Sequence, residues 1–376
     1  MKQIILILLT IVCSLLNAQI RKYSDLDYIP DGHPKHKLDI YLPEQPKFDI
    51  PLVVWIHGGA WISGDKTPLP VHASYLLEHG FAVASINYRF ASEIKFPAQI
   101  FDCKAAIRWL RANSGTYNIN SDRIGVWGSS AGGHLVSLLG TSCDIEFLEG
   151  NLGNTEYSSC VQAVCNYFGP VDFINMPGND NPDSHLGKLI GGSIEDFMEE
   201  YIEASPVTYI DETDPPFLSV HGTEDPLVPY QQSITLDSML NIFDIESTLI
   251  LIDGAKHGGA EFQTDTLLNQ ITEFFNRHLK TNSGVNELVE FNSGISALPN
   301  PFSDFTNINF NLDKNSNVRL SLFNSLGHEV SVIIDKYLTT GNHLVIIDIP
   351  NLSQGLYFFR LQTDDKIQSG RLIKMK

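Results

Sequence analysis

The chain has 376 residues, 43% of them hydrophobic, and a formal net charge of −19. That charge argues against nucleic acid and anionic membrane surfaces as partners. The length is more than one compact domain usually needs. The charge is also uneven: residues 285–376 hold nine acids and eight bases, contributing only −1, which supports a domain boundary near 284.

The N-terminus reads as a targeting segment. Lys2 supplies a positive start, Ile4 to Leu16 is largely apolar, and Ala18 precedes a plausible cleavage point. Residues 1–18 are therefore expected to be a signal peptide, with an apolar run too short to span a bilayer comfortably. Export leaves Cys103, Cys143, Cys160 and Cys165. An oxidising compartment permits bridges among them, and four cysteines allow three complete pairings. Cys143 and Cys160 flank a loop-like segment and are the preferred pair. Cys103 lies on the apolar stripe of a helix, which reads as burial.

Strand-like and helical stretches alternate from about 20 to 280. Residues 52–56, 82–86, 124–127, 161–167, 217–221 and 247–252 read as strands, 99–112 as a helix, and the last helix carries Leu267, Ile271, Phe274 and Phe275 on one stripe. Such alternation predicts an α/β fold with a mostly parallel sheet and helices on both faces. Sites in such sheets form at the carboxyl ends of the strands. Residues 174–213 interrupt the pattern with Gly, Asn, Asp and Pro, then a helix-like stretch from Ile194 to Ile202, and are a candidate cover for a cleft. Residues 281–297 read as a linker. From 298 to 376 short period-two runs separated by turn signals predict a small all-β sandwich.

One turn carries the chemistry. Gly128-Ser129-Ser130-Ala131-Gly132 lies between a strand and a helix, the placement of a nucleophile elbow. A serine hydroxyl needs a base, and the base needs an acid. His257, in a glycine-flanked loop after the strand 247–252, is the candidate base. Asp225, on the exit loop of the strand 217–221, is the candidate acid, with Glu224 and Asp253 as alternatives. The order Ser130, Asp225, His257 suits this fold class. Gly58, Gly59 and Ala60, after the strand 52–56, and Ala131, after the nucleophile, are candidate oxyanion donors. Trp61 and His134 are candidate cleft residues that bind substrate. His57 and His221 read as loop braces. The twelve histidines show no metal spacing, and the glycines around 125–133 lack a phosphate-loop ending or a dinucleotide fingerprint. No metal and no cofactor is expected.

These residues carry a resemblance. His57-Gly58-Gly59-Ala60-Trp61, Asn87-Tyr88-Arg89-Phe90, Gly128 to His134 and His221-Gly222-Thr223-Glu224-Asp225 resemble the motifs of α/β-hydrolases of the His-Gly-Gly-x-Trp group. The likeness is greatest to bacterial feruloyl and acetyl esterase-like enzymes, with hormone-sensitive-lipase-like esterases as wider relatives. It covers roughly 25–280 and implies hydrolysis of carboxylic esters, frequently on decorated plant polysaccharides. Ala60 departs from the lipase-like relatives, which usually carry a third glycine there. In the tail, Pro299-Asn300-Pro301-Phe302, Leu322 to Gly327, Gly341-Asn342-His343, Gly355-Leu356-Tyr357-Phe358 and Lys374-Met375-Lys376 resemble the C-terminal sorting domain of type IX secretion. That likeness implies export across a bacterial outer membrane, often with removal of the tail, and a location outside the cell or on its surface.

The expected protein is thus a secreted serine esterase acting on an ester substrate linked to carbohydrate, with the type IX machinery as its partner. The alternatives are a formamidase, amidase or general short-chain esterase on the same elbow, and a non-catalytic surface-binding protein on a hydrolase scaffold.

Overall fold

The computed structural model describes residues 20–43, 49–280 and 295–375, except 325–326, 348 and 350–351. The expected signal peptide at 1–18 and most of the expected linker at 281–297 lie outside the described residues.

Eight strands form one sheet. They are β1 (Arg21–Asp27), β2 (Lys37–Leu42), β3 (Ile50–Ile56), β4 (Ala82–Ile86), β5 (Ile119–Ser129), β6 (Ala163–Tyr167), β7 (Phe217–Gly222) and β8 (Ser247–Ile252). Their order is β1-β2-β4-β3-β5-β6-β7-β8. The β1–β2 and β2–β4 pairs are antiparallel, and the rest are parallel. All seven residues of β3 are buried, as a parallel strand covered on both faces requires. On one face Ile107 and Leu110 of the helix Ala98–Ala112 and Leu135 and Leu139 of Ala131–Thr141 join a shared core; on the other, Ile271 and Phe275 of Asp265–Phe275 pack around Trp127. Wherever the sequence reads as a strand, one is present. The antiparallel β1–β2 extension was not anticipated.

The insertion differs from its expected form. Its helices are His185–Ile190 and Met198–Glu203, not one run over 194–202. Between them Ser193 makes a turn, with its Oγ on Asp196 and its carbonyl accepting from the Phe197 amide.

A disulfide joins Cys143 to Cys160, while Cys103 and Cys165 are buried thiols. Inside the bridged loop, Glu149 accepts from the buried Lys104, from Arg108 at 3.0 Å and from Ser159 at 2.8 Å. Opening the bridge frees a span of 17 residues. Replacing both cysteines with serine is expected to lower stability by about 3 kcal/mol, read as a lower urea midpoint.

The tail contains a three-stranded antiparallel sheet and a four-stranded one, enclosing Phe302, Ile308, Phe310, Leu320, Leu361 and Leu372. Its first strand is Ile295–Leu298, so sheet structure begins three residues before the expected boundary at 298. Among the described residues no helix is long and apolar enough to cross a membrane.

Candidate active site

The strand β5 runs directly into the helix Ala131–Thr141, and Ser130 is the joint. Its backbone sits at φ 55° and ψ −120°, a conformation that costs about 1–3 kcal/mol for a residue with a Cβ. Neighbouring backbone holds it there: the Ser130 amide donates to the Tyr167 carbonyl at 2.8 Å, and the Ser130 carbonyl accepts from His134 at 2.9 Å. The flanking glycines are steric necessities. A Cβ on Gly132 would lie 2.1 Å from the Ile56 carbonyl oxygen, and one on Gly128 would lie 2.3 Å from the Gly132 oxygen. The sharp turn therefore lifts the Ser130 hydroxyl above the sheet edge.

Two loops from later strands meet that hydroxyl. His257, after β8, places Nε2 at 2.8 Å from Ser130 Oγ. Its Nδ1 lies 2.6 Å from Asp225 Oδ2, on the loop after β7. Asp225 is shielded from solvent and accepts the Leu227 and Val228 amides on Oδ1, at 2.8 and 3.0 Å. Burial opposes its charge, but the bonds from His221, His257 and these amides outweigh that and hold the carboxyl well below the usual carboxylate range. Of the alternative acids, Glu224 is exposed, and Asp253 accepts from Thr223 at 3.3 Å. A carboxylate on Nδ1 fixes the imidazole with a free Nε2 lone pair facing the serine, the arrangement a general base needs.

Across the cleft the loop 57–63 follows β3. Its peptides are oriented by side chains. The His57 Nδ1–H donates to the Gly58 carbonyl at 2.7 Å, and the Gly59 carbonyl accepts from the Ile62 amide, the Ser63 amide and Ser63 Oγ, each at 3.0 Å. In a trans peptide the N–H points opposite to the carbonyl. The Gly59 and Ala60 amides are thereby turned away from those partners, and neither has a hydrogen-bond partner among the described residues. Both residues, with Gly58, line the cleft beside Ser130. Ala131, first in its helix, has an amide with no intrahelical acceptor. His57 is packed on Tyr88, with ring centroids 4.5 Å apart, and burial pushes its imidazole down to about 4. It braces the loop, as does His221 on the acid's side through Ser233 and the Val228 carbonyl.

The cleft measures about 630 Å³. Phe168, Met176, Leu186, Leu227 and Val228 give it apolar walls, with Ser184 and His185 of the insertion on the same lining. None of the lining residues is Lys, Arg, Asp or Glu. Trp61 is among the lining residues but is only 4% exposed.

His134 is a correction. It does not line the cleft; it is 0% exposed, beneath the loop, with Nδ1 taken by Trp61 and Nε2 by the Ala204 carbonyl. A polar residue in the first turn of a helix suggests a cleft wall, but the helix is buried all round. Met176 lies in the segment 174–213 expected to cover the cleft, whereas Phe168 and Leu227 were missed as cleft residues. Both follow strands of the parallel sheet, the position that could have signalled them.

The BD-FAE family profile matches residues 38–240, which is 203 of the 376. The chain belongs to the BD-FAE family. A second match, to the secretion system C-terminal sorting domain, covers residues 296–375 of this BD-FAE chain and indicates type IX export. Among curated proteins it is 35% identical over 222 residues to "Probable carboxylic ester hydrolase LipM" of Mycobacterium tuberculosis, covering 56% of this chain and 49% of that one. It is 31% identical to "Esterase LipQ" of the same organism, covering 58% and 52%. The chain thus spans about half the length of these two curated relatives. Among solved structures, a "truncated form of carbohydrate esterase from gut microbiota" superposes with a TM-score of 0.65 at 32% identity, covering 69% of this chain and 97% of that one. A "bifunctional GH43-CE" from Bacteroides eggerthii gives 0.64 at 37% identity, covering 68% and 38%. The α/β-hydrolase sheet of this BD-FAE chain is the fold these neighbours share.

Proposed function

We propose that this chain is a secreted serine carboxylic-ester hydrolase that forms an acyl-enzyme on Ser130. The observation that carries the reading is the line of contacts from Ser130 Oγ to His257 Nε2 at 2.8 Å and from His257 Nδ1 to Asp225 at 2.6 Å. Ser130 Oγ attacks the ester carbonyl carbon as its proton passes to His257 Nε2. The Gly59, Ala60 and Ala131 amides receive the oxyanion. The bond to the alcohol oxygen breaks as His257 returns the proton to it. Water, deprotonated by His257, then attacks the acyl carbon and releases the carboxylic acid and free Ser130.

The substrate is an acetyl or feruloyl ester on a plant polysaccharide or its fragments. The uncharged lining of the cleft and the net charge of −19 favour a neutral ester over an anionic one. The solved relative described as a carbohydrate esterase supports the carbohydrate link. In this reading residues 1–18 are removed on export, 19–280 are the catalytic domain, and 298–376 are the sorting address.

A fluorophosphonate is expected to add once to the purified protein, with the mass gain on the Ser130 peptide. A panel of acetylated xylan, methyl ferulate, nitrophenyl esters and a formyl amide then ranks substrates. No adduct would overturn the esterase reading in favour of a binding protein, and preference for the formyl amide would move it to an amidase.

A further inference from the structure

The loop that carries the candidate oxyanion amides is strained. Ala60 and Trp61 are consecutive non-glycine residues in the left-handed region, at φ 52° and 59°. Side chains with a Cβ leave that region unless something holds them. The Trp61 carbonyl is held by the Ala91 amide at 2.8 Å. The Trp61 indole N–H is accepted by the His134 imidazole, and the ring also packs edge-on against Phe173 at 5.7 Å.

His134 sits in the first turn of the helix that starts at the nucleophile. Its Nδ1 lies 3.1 Å from Trp61 Nε1, and its Nε2 lies 2.8 Å from the Ala204 carbonyl. An indole N–H only donates and a carbonyl only accepts, so a single state satisfies both: neutral imidazole with the proton on Nε2. Burial pushes the group down to about 4, in keeping with that state. The ring stacks on Phe173 at 4.7 Å and meets Trp61 edge-on at 5.3 Å. Ala204 caps the insertion helix Met198–Glu203. One fully buried side chain therefore fastens three parts together: the nucleophile helix, the strained loop, and the insertion, other residues of which line the cleft.

We propose that His134 is a positioning residue: through Nδ1 it holds Trp61, and hence the Gly59 and Ala60 amides, in the geometry that stabilises the oxyanion. The inference rests on the esterase reading of the site. Its signature is a loss confined to the transition state. Misplacing donors by a fraction of an ångström weakens the contact with the oxyanion, while the apolar walls that hold the ground-state ester stay in place.

The two nitrogens can be tested apart. In His134→Asn the Oδ1 stands where Nδ1 was and keeps the acceptor for Trp61. In His134→Gln the terminal amide reaches the Nε2 position and keeps the bond to Ala204 only. His134→Leu keeps neither, and Trp61→Phe removes the donor while keeping an aromatic ring at the site, at the cost of the second ring of a buried indole. With nitrophenyl acetate, His134→Leu, His134→Gln and Trp61→Phe are expected to lower kcat about 10- to 100-fold with KM within about threefold. Affinity for a trifluoromethyl ketone, which presents an oxyanion, should fall in parallel. His134→Asn should stay within about threefold of the wild type, and Trp61→Phe combined with His134→Leu should lose no more than either alone. If His134→Leu does not fold, Trp61→Phe and His134→Gln carry the comparison. Wild-type kcat and ketone affinity in those two variants would overturn the clamp. So would equal losses in His134→Asn and His134→Gln, which is what a merely structural role predicts. A wild-type protein that hydrolyses no ester would instead overturn the esterase reading, and this inference with it.

Discussion

Ser130→Ala is expected to lower kcat for aryl acetates by about 10⁴- to 10⁶-fold, with the protein still folded. The size follows from the role proposed for the hydroxyl. In that mechanism it forms the covalent bond, and without it His257 would have only water to activate. The proposed oxyanion donors, the amides of Gly59, Ala60 and Ala131, remain, so turnover above the uncatalysed rate should persist at a low level. The fold should notice little. The elbow keeps its amide bond to Tyr167 and its carbonyl bond from His134, neither of which uses the side chain. One hydrogen bond to His257 is lost, worth about 1 kcal/mol and so about 2–4 °C in Tm for a domain of this size. A variant that melts within that range and still hydrolyses esters at the wild-type rate would remove Ser130 from the mechanism.

How far the sequence led differs between the sheet, the triad candidates and the cleft. The six predicted strands are all present because apolar runs of this length between helical stretches have few other places to go. Ser130, Asp225 and His257 were legible as candidates because each follows a strand, and strand ends of a parallel sheet share one edge. That geometry brings residues 95 and 32 positions apart into one line, since 225 − 130 = 95 and 257 − 225 = 32. His134 was misplaced because its surroundings are non-local: Trp61 is 73 positions away and Ala204 is 70. A histidine in a first turn looks polar and exposed until the insertion is seen to close over it. The insertion itself was the least legible segment. Its Gly, Asn and Pro content marks turns without fixing which short runs between them become helical. The cleft walls from Met176 to Leu186 inherit that gap, so acyl and alcohol preference was hidden together with them.

Asp225→Asn is expected to cost about 10⁴-fold in kcat, for a reason that the contacts of this carboxylate make specific. Oδ1 accepts the Leu227 and Val228 amides, and Oδ2 faces His257 Nδ1 at 2.6 Å and His221 Nε2 at 3.3 Å. An asparagine must give its carbonyl oxygen to the two amides, because an NH₂ there would set donor against donor. Its NH₂ then faces His257, which must turn Nδ1 into an acceptor and carry its proton on Nε2. That proton points at Ser130 and leaves the serine with no base. The same substitution changes stability with pH, and the sign is fixed by the depressed carboxyl. Its charged form is favoured by folding, so its contribution is fully present above the unfolded carboxylate value of about 4 and is lost as pH falls through the lower folded value. At pH 7 the variant should therefore melt below the wild type. The gap should narrow as pH falls below about 4, because only the wild type has this charge to lose. A gap that stays constant between pH 7 and pH 3 would mean that Asp225 is not held as the anion in the folded protein.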